Sequence, residues 1–194
     1  MNGNTTLGEI LNYTDEALAQ EIINSRDTTA FGILYDRYEK MVYNKCYQFV
    51  SNKEEAKDLA HDVFLQVFIK INTFKGTAKF SSWLYSVCYN FCVNYINRNK
   101  EKKISSQSND IDEEYSLSQD EVSDETLLEL KAEKLQKALV LIPPEDKMIL
   151  QMKYQDDISI KELQQVLEIS ESAVKMRLAR AKEKLITIYN KIDH

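Results

Sequence analysis

The sequence is poor in residues that form tight turns: only 4 glycines and 2 prolines occur among 194 residues. Average usage is about 7% glycine and about 5% proline, so β-sandwiches, barrels and enzymes with glycine-rich nucleotide loops are disfavoured. Residues 1–10 contain neither the basic nor the apolar part of a signal peptide. No apolar run approaches the about 18 residues of a membrane span. With three cysteines, an odd number, these features predict a reduced, cytoplasmic, helical protein without direct membrane insertion.

The acidic residues are concentrated in one segment. The chain has 25 basic and 31 acidic residues and a net charge of -6, yet residues 105–126 contain eight of the acids and no base. Such a segment buries too little apolar surface to offset its ordering entropy. We therefore predict an all-α protein of two small helical domains, residues 1–104 and 127–194, joined by a flexible acidic linker. Net charge does not exclude a DNA partner, because screening confines a charge's field to about 10 Å at 0.1 M salt.

Capping residues predict where the helices begin. The capping-box pattern Ser-x-x-Glu occurs at Ser51 and at Ser159, and Thr14 and Ser170 stand before amphipathic runs. Pro143 and the following proline end one helix and start the next. The predicted helices span roughly residues 14–23, 29–50, 51–72, 81–103, 124–141, 145–154, 159–167 and 170–192.

The last two predicted helices resemble a helix-turn-helix, because a short helix, a three-residue turn and a longer basic helix follow one another. At 100° per residue, one stripe of the last helix is apolar and is predicted to face the core; it consists of Val174, Leu178, Ala181 and Leu185. Donors near the start of such a helix can reach base edges, and flanking cations can reach phosphates. The alternative is a solvated basic helix. The predicted DNA-contacting residues are Ser172, Ala173, Lys175, Met176, Arg177, Arg180 and Lys182.

The third predicted helix has two large apolar residues on its polar side. Leu65 and Ile69 stand there beside Asp58 and Asp62, an arrangement that favours a protein-docking patch. The alternative is that single exposed apolar residues are common and have no role. A metal pair at Asp58 and Asp62 is disfavoured, since only His61 is near them in sequence.

The fourth predicted helix carries uncharged polar residues along one side. This stripe follows Trp83 and consists of Ser86, Asn90, Asn94 and Asn97, although asparagine is a poor helix former. Amides beside an aromatic ring can hydrogen-bond to and stack on unpaired bases. The alternative is that asparagine is simply frequent in this chain and that the stripe has no role in binding. Cys88 and Cys92 fall on the core side, where we interpret them as small apolar residues rather than metal ligands.

Four motifs in this order resemble bacterial RNA polymerase sigma factors of the extracytoplasmic-function type: FGILYDRYEKMVY, DLAHDVFLQVF, FKGTAKFSSWLYSVCYNFCVNY and SIKELQQVLEISESAVKMRLARAKEKL. The resemblance implies a factor that binds core polymerase at its clamp helices and flap, and directs it to promoter DNA. It also implies an anti-sigma partner. The residues implied in clamp binding are Asp58, Asp62, Leu65, Gln66 and Ile69. Those implied in recognising and melting the minus-ten element are Lys75, Lys79, Trp83, Ser86, Asn90, Asn94 and Arg98, and the helix near 171–184 would read the minus-thirty-five element.

The sequence departs from the family pattern at four positions. His61 and Asp62 stand where Gln and Glu are usual, Glu168 occupies a turn position often held by Gly, and Gln164 replaces a small residue. Glu168 would be strained if that turn requires a positive φ.

Two other functions would explain only part of the sequence. A stand-alone helix-turn-helix regulator explains the last helix, but not the docking patch or the asparagine stripe. A metal-dependent nuclease lacks a convergent cluster of histidines and acids, since the other histidine is His194. We expect no catalytic residues, no metal, no cofactor and no small-molecule substrate.

Overall fold

The computed structural model describes residues 7–50, 52–104 and 122–192, which are helical with no strand. The chain divides into two compact units after Asn94, at a point inside a long helix. Most of the predicted acidic linker, residues 105–121, lies outside the described residues. The domain limits 1–104 and 127–194 therefore stay predictions.

The first unit is built around its third helix, which packs against two other helices. Its elements are α1 (Leu7–Ile10), α2 (Asp15–Ser25), α3 (Thr28–Val50), α4 (Lys53–Lys70), a 3-10 helix (Ile71–Thr73) and α5 (Phe80–Ile104), which continues into the second unit. Helix α3 packs against both α2 and α4. The Arg37 guanidinium fastens α3 to α2 by a 2.6 Å ion pair with Asp15. Fully buried apolar side chains such as Leu18, Leu34 and Leu59 form the core between these helices.

The second unit is organised around its last helix. Its elements are α6 (Asp124–Leu128), α7 (Ala132–Leu141), α8 (Pro144–Tyr154), α9 (Ile160–Leu167) and α10 (Glu171–Lys191). Helix α10 packs against α7, α8 and α9. The core is apolar, with Met148, Ile149 and Leu163 fully buried. The unit thus holds α9 and α10 in the helix-turn-helix order that the sequence predicts.

Three of the predicted helix starts are confirmed. The side chains of Thr14, Ser159 and Ser170 each accept a hydrogen bond from a backbone N–H in the first helical turn. Ser159 and Glu162 form the complete capping box, in which the glutamate side chain also accepts from the Ser159 backbone N–H.

Two boundaries were predicted wrongly. Helix α4 is capped by Asn52, whose Oδ1 accepts from the Glu55 N–H at 3.0 Å, and not by Ser51, which lies outside the described residues. The single helix predicted over 124–141 is two helices, because Lys131 has an extended backbone conformation between them. Its N–H donates to the Tyr189 hydroxyl at 3.0 Å instead of continuing a helix.

The turn between α9 and α10 has the left-handed conformation anticipated for Glu168. This residue has φ 56° and ψ 37°, and its N–H donates to the Gln164 carbonyl to close α9. A left-handed residue with a Cβ costs about 1–2 kcal/mol. Glu168 is exposed, so nothing around its side chain offsets that cost.

Replacing Glu168 by glycine is therefore expected to stabilise the protein. Glycine relieves the strain but loses about 0.5–1 kcal/mol of additional backbone entropy on folding. We expect the free energy of unfolding to rise by about 0.5–1 kcal/mol, measured by urea denaturation. Glu168→Ala keeps the Cβ and is the matched control. An equal gain in the alanine variant would show that the charge, rather than the backbone, is responsible.

Candidate protein and nucleic-acid interfaces

One side of α4 is apolar and buried, while the other presents the docking patch: Asp58, Asp62, Leu65, Gln66 and Ile69. The buried side follows the helical period, and Leu59, Val63 and Val67 are at most 2% exposed against the rest of the unit. On the patch, Leu65 is 60% exposed and Ile69 is 63% exposed. The sequence prediction of two solvent-facing apolar side chains on this helix is confirmed.

The docking patch combines apolar surface with negative charge. Asp58 and Asp62 are exposed and Gln66 is half-buried, and positions 58, 62, 65 and 69 follow one another along a single helical face. Neighbouring His61 stacks on Tyr35, with ring centroids 6.5 Å apart. Large exposed apolar side chains within a polar rim are typical of protein-binding surfaces.

An aromatic cluster anchors the loop before α5. The Trp83 ring centroid lies 5.8 Å from that of Phe74 and 5.6 Å from that of Phe80. Trp83 Nε1 donates to Thr73 Oγ1 at 3.3 Å. The Phe80 backbone N–H donates to Glu16 Oε1 at 2.9 Å. Both ends of the loop are therefore fixed to the first unit.

The loop between these anchors is cationic and exposed. Lys75 and Lys79 lie on its surface. Between them Gly76 has φ 68°, a conformation that glycine adopts without strain. A basic loop at this place can follow a phosphate backbone.

Helix α5 presents the predicted polar stripe in the turns after Trp83. Ser86 and Asn90 are half-buried and Asn94 and Arg98 are exposed. Asn90 Nδ2 donates to Ser86 Oγ at 3.4 Å. An asparagine amide has two N–H donors and a carbonyl acceptor, so this contact uses only part of its hydrogen-bonding capacity. The stripe can present both donors and acceptors to a base.

Helix α10 separates an apolar side from a basic side as predicted. Val174, Leu178, Ala181 and Leu185 are all buried. On the other side Ser172, Lys175 and Arg180 are exposed, Met176 is 52% exposed, and Ala173 and Arg177 are half-buried. Lys175 pairs with Glu171 at 2.6 Å, and the Arg177 guanidinium lies 3.9 Å from a Glu145 carboxylate oxygen.

Lys182, one of the residues predicted to contact DNA, is buried in the structure rather than open to solvent. This lysine is only 8% exposed, and its ammonium lies 3.0 Å from Asp124 Oδ1. The Tyr154 hydroxyl donates to the same oxygen at 2.6 Å. The hydrogen bonds from Tyr154 and Lys182 lower the pKa of Asp124. A buried ammonium requires such a partner, so Lys182 fastens α10 to α6 in this structure.

Lys184, a further base of α10, also forms an ion pair within the second unit. Its ammonium lies 2.7 Å from the carboxylate of Asp146, which is itself buried. Together with Lys182 it contributes to the packing of the second unit. The basic surface of α10 is therefore limited to its first three turns, which contain Lys175, Arg177 and Arg180.

Two residues make tertiary contacts that the sequence did not predict. Asp124 was assigned to the acidic segment and to the start of a predicted helix, without a tertiary role, but it joins α6, α8 and α10 through Tyr154 and Lys182. Cys46 was not associated with Cys88 and Cys92, but its Sγ lies 3.8 Å from that of Cys92. All three of these contacts connect residues at least 30 positions apart. For Cys46, the available signal was its position one turn after buried Val42.

Comparisons with known proteins match both units. The model of Sigma-70 region 2 matches residues 34–102, and that of Sigma-70, region 4, matches residues 132–185. Together these regions cover more than half of the chain. The chain is 28% identical over 170 residues to the ECF RNA polymerase sigma factor SigW of Bacillus subtilis (strain 168), covering 84% of this chain and 90% of that protein.

Two solved structures share the fold. CnrH, solved in complex with the cytosolic domain of CnrY, has a TM-score of 0.61 at 18% identity and covers 92% of this chain and 99% of its own. The sigma factor RpoE of Bartonella quintana, solved with the anti-sigma factor NepR, has a TM-score of 0.59 at 15% identity, covering 84% and 98%. In the part of the chain that is described, no helix is long and apolar enough to cross a membrane. With both characteristic regions present in order, the chain belongs to the sigma-70 family of RNA polymerase sigma factors, in its extracytoplasmic-function group.

Proposed function

We propose that this sigma factor binds core RNA polymerase through the docking patch on α4 and recognises its promoter through α5 and α10. Sigma factors are non-catalytic initiation factors, and region 2 and region 4 in one chain favour this role over a stand-alone helix-turn-helix regulator. The observation that carries the polymerase contact is the solvent exposure of Leu65 and Ile69. Their burial against the clamp helices would remove this apolar surface from water.

The minus-ten element would be captured by the loop before α5 and the polar stripe behind it. Trp83 is fixed by Phe74 and Phe80, so a base that leaves the duplex meets a pre-arranged aromatic edge and the amide of Asn90. Flipping a base costs a few kcal/mol, which stacking and hydrogen bonds to that base offset. The contributing residues are Lys75, Lys79, Trp83, Ser86, Asn90, Asn94 and Arg98.

The minus-thirty-five element would be read by the first turns of α10 in the major groove. Ser172, Ala173, Met176 and Arg177 would approach base edges, and Lys175 and Arg180 would contact phosphates. Lys182 is left out of the proposed set, because its ammonium is bound to Asp124.

Arg177→Ala is expected to weaken recognition of the minus-thirty-five element. If the guanidinium binds a base in bidentate fashion, its loss costs about 1–3 kcal/mol for the cognate element. Promoter binding by reconstituted holoenzyme measures this against an element scrambled in sequence. Lys175→Ala is the matched control, for which we expect a smaller, sequence-independent loss and a shallower salt dependence. Equal losses on both elements for Arg177→Ala would make Arg177 a phosphate contact.

Two further assignments belong to the proposal. An anti-sigma factor is proposed as a partner, because RpoE of Bartonella quintana, which shares the fold, was solved with one. The polymerase flap is proposed as a second polymerase contact, as the family resemblance implies. A factor that acts on polymerase and promoters works in the cytoplasm, where both are present.

The proposed function is tested by in vitro transcription on fragmented genomic DNA of the host, with core polymerase alone and with this protein added. We expect new start sites that share two spaced upstream elements. Absence of new starts, together with DNA binding by the protein without polymerase, would instead support a stand-alone regulator.

A further inference from the structure

Three cysteine thiols from two helices meet in the interior of the first unit. Cys46 lies on α3, and Cys88 and Cys92 lie one turn apart on α5. The Sγ atoms of Cys46 and Cys92 are 3.8 Å apart, and all three Sγ atoms lie within 4.8 Å of one another. All three residues are 0% exposed. The three sulfur atoms therefore form a small triangle that is closed to solvent.

We propose that Cys46, Cys88 and Cys92 form a three-coordinate binding site for a soft, thiolate-binding metal ion, with Cu(I) as the ion that suits it best. A metal–sulfur bond of about 2.3 Å, as in zinc thiolates, places the sulfurs of a trigonal site about 4.0 Å apart. In the structure one edge of the triangle is 3.8 Å and no edge exceeds 4.8 Å, so an ion fits at its centre after side-chain shifts of less than about 1 Å.

The number and type of ligands favour Cu(I) over zinc. Thiolates select soft ions, among them Cu(I) and zinc, but structural zinc sites are almost always four-coordinate. Within the described residues no histidine, aspartate or glutamate joins the three cysteines. Their complete burial also leaves no open side for a water ligand. A site restricted to three sulfurs suits an ion that accepts three ligands.

A buried cation makes the site electrostatically suited to thiolates. Lys45 is only 3% exposed, and its ammonium lies 5.7 Å from the centroid of the Tyr85 ring. Binding of the ion would displace the protons of the three thiols, which leaves the site with a net negative charge. Lys45 directly precedes Cys46 on α3, and its positive charge offsets part of that negative charge.

Metal binding would link α3 to α5 on the side of α5 opposite Ser86 and Asn90. Because the unfolded chain does not hold the three thiols together, binding would stabilise the folded state by mass action. Only the three buried thiols are proposed to bind the ion. Metal binding can therefore be measured without measuring transcription, and its failure would leave the proposed function intact.

The test is an anaerobic Cu(I) titration of the full chain against a chromophoric Cu(I) chelator. We expect one Cu(I) per chain, and a melting temperature that rises with free Cu(I) concentration. The same titration with Zn(II) should show weaker binding. No Cu(I) retained against the chelator, or tighter binding of Zn(II), would overturn the proposal.

Ligand variants identify the site. Cys46→Ala and Cys88→Ala, on different helices, should each bind Cu(I) more than about 100-fold more weakly, since loss of an outer partner alone costs about 10- to 100-fold. Val42→Ala is the matched control, because it shortens a fully buried side chain on α3 and keeps all three sulfurs. Wild-type affinity in a cysteine variant would place the ion elsewhere.

A measurement on the wild-type chain tests the three-cysteine site even if a cysteine variant fails to fold. X-ray absorption of the Cu(I)-loaded protein should show three sulfur neighbours and no nitrogen or oxygen neighbour. A nitrogen or oxygen neighbour, or only two sulfurs, would contradict the three-cysteine site.

Discussion

The Leu65→Glu variant is expected to bind core RNA polymerase at least about 30-fold more weakly than the wild-type chain, because anchoring residues of an interface contribute about 2 kcal/mol or more. Leu65 is 60% exposed in the free protein and is not one of the buried core residues. A glutamate carboxylate at this position would lose its hydration when the clamp helices cover it. No cation or hydrogen-bond donor of the interface is placed to compensate for that loss, so binding is weakened. Affinity is measured by fluorescence titration of labelled protein with core polymerase.

The free energy of unfolding should change little in Leu65→Glu, since leucine and glutamate have similar helix propensities. Leu11→Glu is the matched control, because Leu11 is also a large exposed apolar residue of the first unit, at 53%, and lies outside the docking patch. The control should bind polymerase normally. Unchanged affinity in Leu65→Glu would remove the docking patch from the polymerase interface.

The amphipathic helices could be predicted because their pattern is local. The period of 3.6 residues assigns Val174 and Leu178 to the core side of α10 and leaves Leu65 and Ile69 on the outer side of α4. The structure confirms both assignments. Each depends only on residues three or four positions apart, and no distant contact competes with them.

The charges of α10 could not be assigned in the same way. Lys182 lies on the edge of the helix, where the helical pattern permits either a phosphate contact or a buried pair. Its partner Asp124 is 58 residues away in sequence and lies in the segment that composition assigned to a linker. The Lys131 break between α6 and α7 has a similar origin, since its hydrogen-bond partner is Tyr189. Tertiary contacts of this kind override local propensity.

The cysteines show which contacts the helical periodicity of the sequence can predict and which it cannot. Their spacing correctly placed Cys88 and Cys92 on the buried side of α5. The third thiol comes from α3, and only the packing of α3 near α5 brings Cys46 within reach. An interpretation as small apolar residues was reasonable for two thiols, whereas three thiols in one triangle have the chemistry of a ligand set.

The Asn90→Ala variant is expected to form holoenzyme normally but to melt promoters poorly. Asn90 lies on α5, whereas the docking patch lies on α4, and it is half-buried beside Ser86. If its amide binds the flipped base, its loss costs about 1–3 kcal/mol, or roughly 5- to 150-fold in the equilibrium between closed and open complexes. Permanganate reactivity of unpaired thymines in the minus-ten element measures the open complex directly.

A template with a pre-opened minus-ten region separates melting from other defects. On this template the minus-ten region is already unpaired, so no free energy is needed to open it. Asn90→Ala should therefore recover much of its transcription activity. A variant impaired in polymerase binding should not recover. Asn44→Ala provides the matched control, because it makes the same change at an exposed helical position on α3. If Asn90→Ala melts the duplex as well as wild type does, a different side of α5 must receive the base. The stripe formed by Ser86, Asn90 and Asn94 would then serve only as helix surface.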